Sequence, residues 1–296
     1  MALNSILLAL DGSAESRYAA EAAWFVAQKT GASVLAQHVI NAHGLWKLLL
    51  HHQAGFVGSG LYFEAFESMI ERLRTLGQNL LDSYESFVPG GIKAQTLVSE
   101  GSVPGEILKQ LENADLLVVG HRHNGDIYDP EGGLAAVLVA HSEKPVLVMQ
   151  KQAKPWVAGR LVVGDARFHT SFVQKLMAWM DALTLRKELY CLPNVDSDTA
   201  TDVTHRMEES NRAKETVFVY STFKQADHER YGSSKDDETL IIIPKLFEPE
   251  SNGLALGEIL QRYSGSSLLF WPVDSRSMPE REPQPAAEVN RSASCL

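Results

Sequence analysis

The stretch LLVVGHRHNG (116–125), followed by GGLAAVLVAHSEKPVLVM (132–149), decides the fold of this chain. An apolar run of the buried-strand type ends in a glycine, and a polar loop, a helical pattern and a second apolar run follow it. An earlier apolar run, SILLAL (5–10), ends beside Asp11. Because strands that alternate with helices are joined by right-handed crossovers, these segments predict an open parallel sheet with a ligand crevice at its carboxyl edge.

The same alternation fills the rest of the first half. Strands are predicted at 33–40 and 92–98, and Gly31 is expected to end the first helix in a left-handed cap. A long helix is predicted from about Leu61 to Phe87. Three-and-four spacing assigns one face of this helix to the core: Phe66, Met69, Ile70, Leu73, Leu80 and Tyr84.

The element order begins again after residue 159, which indicates a weak internal repeat at about half the chain length. The predicted fold class is therefore α/β, with two doubly wound domains, each an open parallel sheet, of which the second is degenerate. The expected boundaries are a first domain at 1–150, a linker at 151–159, a second domain at 160–273 and a disordered tail at 274–296. That tail is rich in Pro, Ser, Glu and Arg.

Composition and charge exclude several classes of protein. The net charge of −10 disfavours nucleic-acid binding, which needs lysine and arginine facing phosphates. Cys191 and Cys295 are the two cysteines, a number that suits a reducing, cytoplasmic compartment and provides no disulfide framework. The apolar run at the N-terminus stops at Asp11, so it predicts a strand and not a signal peptide or a membrane insertion.

Four motifs in this order resemble the universal stress protein family: ALDGS (9–13), a long second helix, VVG (118–120), and GGLAAV (132–137) with HSEKPVLV (141–148). The resemblance covers 1–150 well and 160–273 mainly by element order, so the chain resembles a tandem universal stress protein. It implies the fold shared with adenine nucleotide alpha hydrolases and a role in stress tolerance. It also implies that the apolar last strands pair two copies, either within a tandem chain or in a homodimer.

In the nucleotide-binding members of this family, the fourth strand leads into the loop G-x2-G-x9-G-[S/T]. Counted forward on this chain, the first and third glycines are Gly120 and Gly133, while the second falls on His123 and the hydroxyl position on Leu134. Counted back from PVLV, the third glycine is Gly132. Either count lacks a glycine and a hydroxyl.

Asp11 and Val39 resemble the adenosine contacts of the family, and Arg122 offers a cation beside the loop. In the second copy, Pro244 stands at the first glycine, so that copy is expected to have lost the site. ATP or AMP is the cofactor that the resemblance implies for the first domain, although none is firmly predicted. The implied nucleotide site consists of Asp11, Val39, Gly120, Arg122, His123 and Gly133.

The same residues have plainer interpretations. Asp11 is equally typical of an N-cap or an Asx turn that opens the first helix. The loop before Gly133 carries Asp126, Asp129 and Glu131, whose charges oppose a triphosphate. Neither a P-loop nor an HExxH or GxSxG motif is present, and the histidines lack the spacing of metal ligands, so no metal is predicted.

Three functions remain open at this point. The first is a regulatory module that contacts an unknown protein partner without nucleotide, the second is an ATP or AMP sensor, and the third is a slow ATPase. The missing loop residues favour binding over turnover and the first function over the others. The apolar segment 44–63 is interpreted as a lid over the crevice or a contact between domains, in preference to a membrane-surface segment.

Overall fold

The computed structural model describes residues 3–51, 59–121, 133–150, 156–163, 170–191, 216–219, 239–245, 260 and 266–272. Within these ranges, helices and strands alternate along the chain, as the sequence predicts. The helices and strands are β1 (Ser5–Ala9), α1 (Ala14–Thr30), β2 (Ser33–Ile40), α2 (Ala42–His51), α3 (Ser59–Phe87), β3 (Ala94–Glu100), α4 (Val103–Leu111), β4 (Leu116–Gly120), α5 (Gly133–His141), β5 (Val146–Met149), β6 (Ala158–Val163), α6 (Thr170–Ala182), β7 (Arg186–Cys191), β8 (Thr216–Val219), β9 (Thr239–Lys245) and β10 (Ser267–Pro272).

The described strands form a single ten-stranded sheet in the order β3-β2-β1-β4-β5-β10-β9-β6-β7-β8. Every pair of neighbours in this sheet is parallel except β5 and β10, which are antiparallel. This mostly parallel open α/β sheet confirms the predicted fold class. The domain boundaries at 150 and 160 stay a prediction.

The sheet order has the same form on both sides of the β5–β10 junction. Counted outward from the junction, the strands are the fifth, fourth, first, second and third of each half. In the first half Gly120 lies opposite Met149, and in the second half Pro244 lies opposite Trp271. Pro244 therefore occupies the strand position that Gly120 occupies in the first half.

Helices cover both faces of the sheet. On one face, α1, α3 and α6 bury their side chains in one apolar cluster, and on the other face α4 and α5 bury theirs in a second cluster. Each cluster includes residues from both halves of the chain, for example Leu8 with Leu161 in the first cluster. The β5–β10 junction is thus covered by apolar side chains on both of its faces.

Helix α1 begins and ends with the caps that its sequence predicts. The Ser13 side chain accepts a hydrogen bond from the Ser16 N–H at 3.1 Å, which satisfies one of the helix's unpaired donors. Gly31 ends the helix with φ of 76°, a left-handed conformation that glycine adopts without steric cost. Alanines dominate the buried face of the helix, so that it lies close to the strands.

Part of the stretch that was predicted as a linker lies inside the core. Strand β6 begins at Ala158, and Trp156 is 5% exposed. The Trp156 indole donates a hydrogen bond from Nε1 to the Ser267 Oγ at 3.1 Å. Its ring meets the Phe25 ring edge-on, with 5.5 Å between the centroids. Trp156 therefore connects α1 in the first half with β10 in the second.

Helix α3 buries part of the predicted face: Ile70 and Tyr84 are buried as predicted, whereas Met69 and Leu73 are not. Met69 and Leu73 were assigned to the core, but they are 45% and 37% exposed. The buried stripe consists of Ile70, Gly77, Leu81 and Tyr84. The helix thus carries two neighbouring apolar stripes, of which the strands cover one.

Segment 44–63, which was interpreted as a lid or a domain contact, lies partly in α2 and partly at the start of α3. The Trp46 and Phe66 rings, one from each helix, lie edge-on at 5.1 Å. Residues 52–58 and the predicted tail 274–296 lie outside the described residues. In the described part of the chain, every helix is too short or too polar to cross a bilayer.

Burial of Tyr84 makes the protein sensitive to alkaline pH. Desolvation raises the pKa of Tyr84 to about 12, although the Trp24 indole donates to its hydroxyl at 3.1 Å and opposes the rise. Because the folded pKa lies above the ordinary value of 10, this contribution to stability is complete below pH 10 and is lost as pH rises toward 12. By pH 11, we expect the parent to lose about 1 kcal/mol relative to Tyr84→Phe in urea unfolding. Parallel pH profiles for the two proteins would contradict this assignment.

Candidate functional site

The topology places a crevice at the carboxyl ends of β1 and β4. These two strands are neighbours, but the connection from β1 runs through α1 on one face and the connection from β4 through α5 on the other. In open α/β sheets, such a switch point leaves a gap between the two connections where ligands bind. The candidate site is therefore at the edge that the sequence predicts.

Three of the predicted site residues, Asp11, Val39 and Gly120, lie at this edge. Ala9 lies opposite Gln37 in β2, and Leu8 lies opposite Val118 in β4. Extending these registers brings Asp11 level with Val39 on one side and one residue beyond Gly120 on the other. Arg122 and His123 lie outside the described residues, so their predicted part in the site stays a prediction.

Gly133 is the first residue of α5, where the sequence predicts that the helix begins. Its φ of 75° lies in the left-handed region, which side chains with a Cβ rarely adopt. The glycine is therefore required by the backbone at the start of the helix, whether or not an anion is bound there.

The Asp11 side chain forms an Asx turn. Its Oδ1 accepts hydrogen bonds from the Ser13 N–H at 2.9 Å and from the Ser13 hydroxyl at 2.5 Å. Ser13 in turn caps α1, so Asp11 orients the cap and is not itself the cap. The prediction of an Asx turn is confirmed, and this carboxylate oxygen has an intramolecular partner at the edge of the crevice.

Gly120 lies directly beneath the first turn of α1. A Cβ added at Gly120 would lie 2.5 Å from the Glu15 carbonyl carbon and 2.7 Å from the Ser16 nitrogen. Real Cβ atoms do not approach a backbone this closely, so another residue would displace the helix. The structure thus gives Gly120 a packing role, whereas the resemblance implied that it approaches phosphate.

A histidine that the sequence reasoning missed stands on the α3 side of the crevice. The His38 ring donates from Nδ1 to the Leu10 carbonyl oxygen at 2.8 Å. Its Cδ2 is 2.6 Å from the position that a Cβ on Gly77 would take, so α3 needs a glycine where the ring passes. A glycine in the middle of a long helix is a signal that could have been followed, since it costs about 1 kcal/mol relative to alanine.

On the α4 side of the crevice lies the buried side-chain amide of Gln37, which the sequence reasoning also missed. Gln37 is 1% exposed, and its Nε2 donates to the Ser99 hydroxyl at 2.8 Å and to the Glu106 carbonyl at 3.4 Å. These bonds join β2, β3 and the first turn of α4. Among the described residues, Gln37 Oε1 has no hydrogen-bond partner. The crevice therefore lies between two polar contacts that fix α3 and α4 against the strand tips.

Metal-ligating side chains do not cluster in the described part of the chain. Within the described ranges, no three side chains of His, Cys, Asp or Glu gather as metal ligands. The polar groups at the crevice contact one another and the backbone.

An open, mostly parallel sheet with helices on both faces and a switch point between β1 and β4 places this chain among the doubly wound α/β proteins. The family model described as "Universal stress protein family" matches residues 3–150, which is half of the chain. The chain therefore belongs to the universal stress protein family. No curated protein matches it.

Several solved structures resemble most of the chain, and two of them serve as examples. A universal stress protein from Archaeoglobus fulgidus DSM 4304 matches with a TM-score of 0.63 at 16% identity, covering 92% of this chain and 97% of that one. A protein from Pseudomonas aeruginosa PAO1, described as functionally unknown, matches with a TM-score of 0.53 at 13% identity, covering 93% and 95%. At these identities the likeness shows the fold alone.

Proposed function

We propose that this chain is a cytoplasmic tandem universal stress protein that works as a regulatory interaction module and not as an enzyme. Family membership supports a stress-related role. The observation that carries the proposal is the contact between Gly120 and the first turn of α1. The glycine that resembles a phosphate contact is required for packing, so its presence does not argue for a nucleotide.

The remaining features of the crevice support the same interpretation. One oxygen of the Asp11 carboxylate, Oδ1, is bonded to Ser13. The sequence lacks one loop glycine and the hydroxyl, and it places three carboxylates before Gly133. A like-charge contact costs on the order of 1–4 kcal/mol near a protein surface, which is more than one exposed helix end provides.

The second half is proposed to be a permanent structural partner. Its fourth strand has Pro244 where the first half has Gly120, and its last strand covers the edge of β5. Covering this edge removes a strand that would otherwise pair with other chains. We propose that this pairing within the chain takes the place of a homodimer.

An unidentified protein is the proposed partner of the module, since the net charge of −10 disfavours nucleic acid. The exposed apolar side chains of α3 support a protein contact. They are Met69, Leu73 and Leu76, of which Leu76 is 63% exposed. Clustered apolar side chains of this kind are a common feature of protein-binding surfaces.

An ATP or AMP sensor is the second candidate. The observation that favours it is the convergence of Asp11, Val39 and Gly120 at the switch point. On this hypothesis the first half binds the nucleotide and signals its presence through the loop before α5. A slow ATPase is a weaker alternative, since it would also need a base and a metal-binding carboxylate near the phosphates.

Nucleotide extraction separates these functions. The purified chain is denatured, and the supernatant is run on an anion-exchange column. The interaction module predicts no adenine nucleotide, whereas near-stoichiometric nucleotide would overturn it in favour of the sensor. If nucleotide is found, prolonged incubation with magnesium and an assay for ADP decides whether the chain turns it over.

A further inference from the structure

A lysine from the second half reaches the end of a helix in the first half. Lys245 is the last residue of β9, and its Nζ donates to the carbonyl oxygens of Ala140 and Ser142, each at 2.8 Å. These carbonyls lie at the C-terminus of α5, where the last carbonyls of a helix have no partner within the helix. A residue distant in sequence thus satisfies two acceptors of the helix that begins at the crevice.

In the sheet, Lys245 lies at the position that corresponds to the residue after Gly120 in the first half. It follows Pro244, which lies opposite Trp271 as Gly120 lies opposite Met149. In the first half, the residues after Gly120 begin the loop that resembles a phosphate cradle. In the second half, the same strand end carries a cation that points to the other half.

Helix α5 has no lysine or arginine of its own with which to complete this end. Its sequence is GLAAVLVAH, and its one basic side chain, His141, contacts the Val137 carbonyl with Nδ1 at 2.9 Å. A cation at a helix C-terminus is stabilised by the helix dipole. Lys245 supplies that cation from outside the helix.

A second polar contact crosses between the halves on the same face of the sheet. Gln150, which follows β5, donates from Nε2 to the Leu260 carbonyl oxygen at 2.9 Å. Leu260 is buried in the apolar cluster that also contains the inner side chains of α5. In one contact the donor, Lys245, belongs to the second half and the acceptors to the first. In the other the donor, Gln150, belongs to the first half and the acceptor to the second.

We propose that Lys245 is a positioning residue, through which the second half holds α5 and so fixes the helix start that borders the crevice. The inference rests on the proposed function, since it gives the second half a definite task as the structural partner. Lys245 thereby links the order of α5 to the folding of residues 239–245.

Hydrogen exchange in the full chain tests this proposal. In Lys245→Met, which keeps the length of the side chain without its charge or donors, we expect the amides of 133–141 to exchange about tenfold faster. The amides of α1 should keep the parent rate. Lys144→Met is the matched control, because Lys144 lies beside the same helix end, and its variant should exchange as the parent does.

Lys245→Arg keeps the charge and the donors and should restore most of the protection of α5. Equal exchange of α5 in Lys245→Met and the parent would overturn the proposal, and so would an equal acceleration in α1 and α5. Neither readout requires a nucleotide. Failure of the proposal for Lys245 is therefore distinguishable from failure of the proposed function, which the extraction experiment tests separately.

Discussion

Gly120→Ala is expected to destabilise the protein by about 3 kcal/mol, the upper end of the range for overpacked sites. The added Cβ would lie 2.5–2.8 Å from three backbone atoms of Glu15 and Ser16. Backbone atoms in a capped first turn cannot rotate away as a side chain can. The helix must shift as a body, and this shift would disturb the Ser13 cap and the Asp11 turn before it.

Urea unfolding of Gly120→Ala beside Gly90→Ala measures this effect. Gly90 has no atom within 4 Å of its added Cβ, so its variant should stay within about 0.5 kcal/mol of the parent. If Gly120→Ala were as stable as the parent, α1 would not lie over the strand end. The phosphate interpretation of Gly120 would then regain its support.

Trp156→Ala is expected to cost about 3–5 kcal/mol, as large-to-small substitutions of buried aromatic residues do. The substitution removes a ring that is packed against Phe25, and it leaves the Ser267 hydroxyl without its indole donor. Because these contacts belong to different halves of the chain, both halves should lose stability together. Trp156→Phe keeps an aromatic ring but loses the indole N–H and some buried volume, so it should cost less than Trp156→Ala and more than the about 1 kcal/mol of the hydrogen bond alone.

Val157 provides the matched control, since it is the next residue and is 52% exposed. Val157→Ala should stay within about 0.5 kcal/mol of the parent. Hydrogen exchange in Trp156→Ala should show faster exchange in both α1 and β10. Faster exchange in β10 alone would show that the halves do not share a core at this point.

Much of the fold was predictable because its elements carry local signals. The bounds of β2 at 33–40 and the end of α1 at Gly31 agree with those predicted. Glycines and apolar periods mark their ends within a few residues, so no distant contact is needed to place them. On α3 the prediction was confirmed for Ile70 and Tyr84 but wrong for Met69 and Leu73, which have the same three-and-four spacing as the buried stripe that begins at Ile70. Only the strands beneath the helix decide which stripe is covered.

The predicted linker at 151–159 shows the same limit of local sequence patterns. Trp156 follows a lysine and a proline, a context typical of a loop, yet it packs against Phe25 and Ser267, more than 100 residues away in either direction. Contacts at such separations leave no periodic pattern near the residue. They follow from the antiparallel junction of β5 and β10, which local patterns do not specify.

The positions of the candidate site residues in the sheet were predictable, but their function was not. Asp11 and Gly120 lie at the carboxyl ends of neighbouring parallel strands, which the strand pattern predicts, and their part in a nucleotide site stays a prediction. A glycine that admits a phosphate and a glycine that admits a helix both lack a Cβ, so the sequence cannot separate them. The partner of Gly120 lies in Glu15 and Ser16, about 100 residues earlier in the chain. The Asx turn of Asp11 was predictable because its partner, Ser13, is two residues away.

Titration calorimetry of the full chain with ATP and with AMP, in the presence of magnesium, tests the central claim most directly. The claim is that the crevice residues resembling nucleotide contacts serve the packing of the first half. It predicts no saturable heat for the parent or for Gly133→Val. A saturating one-to-one isotherm for the parent would contradict the claim, because it would show that the chain binds the nucleotide.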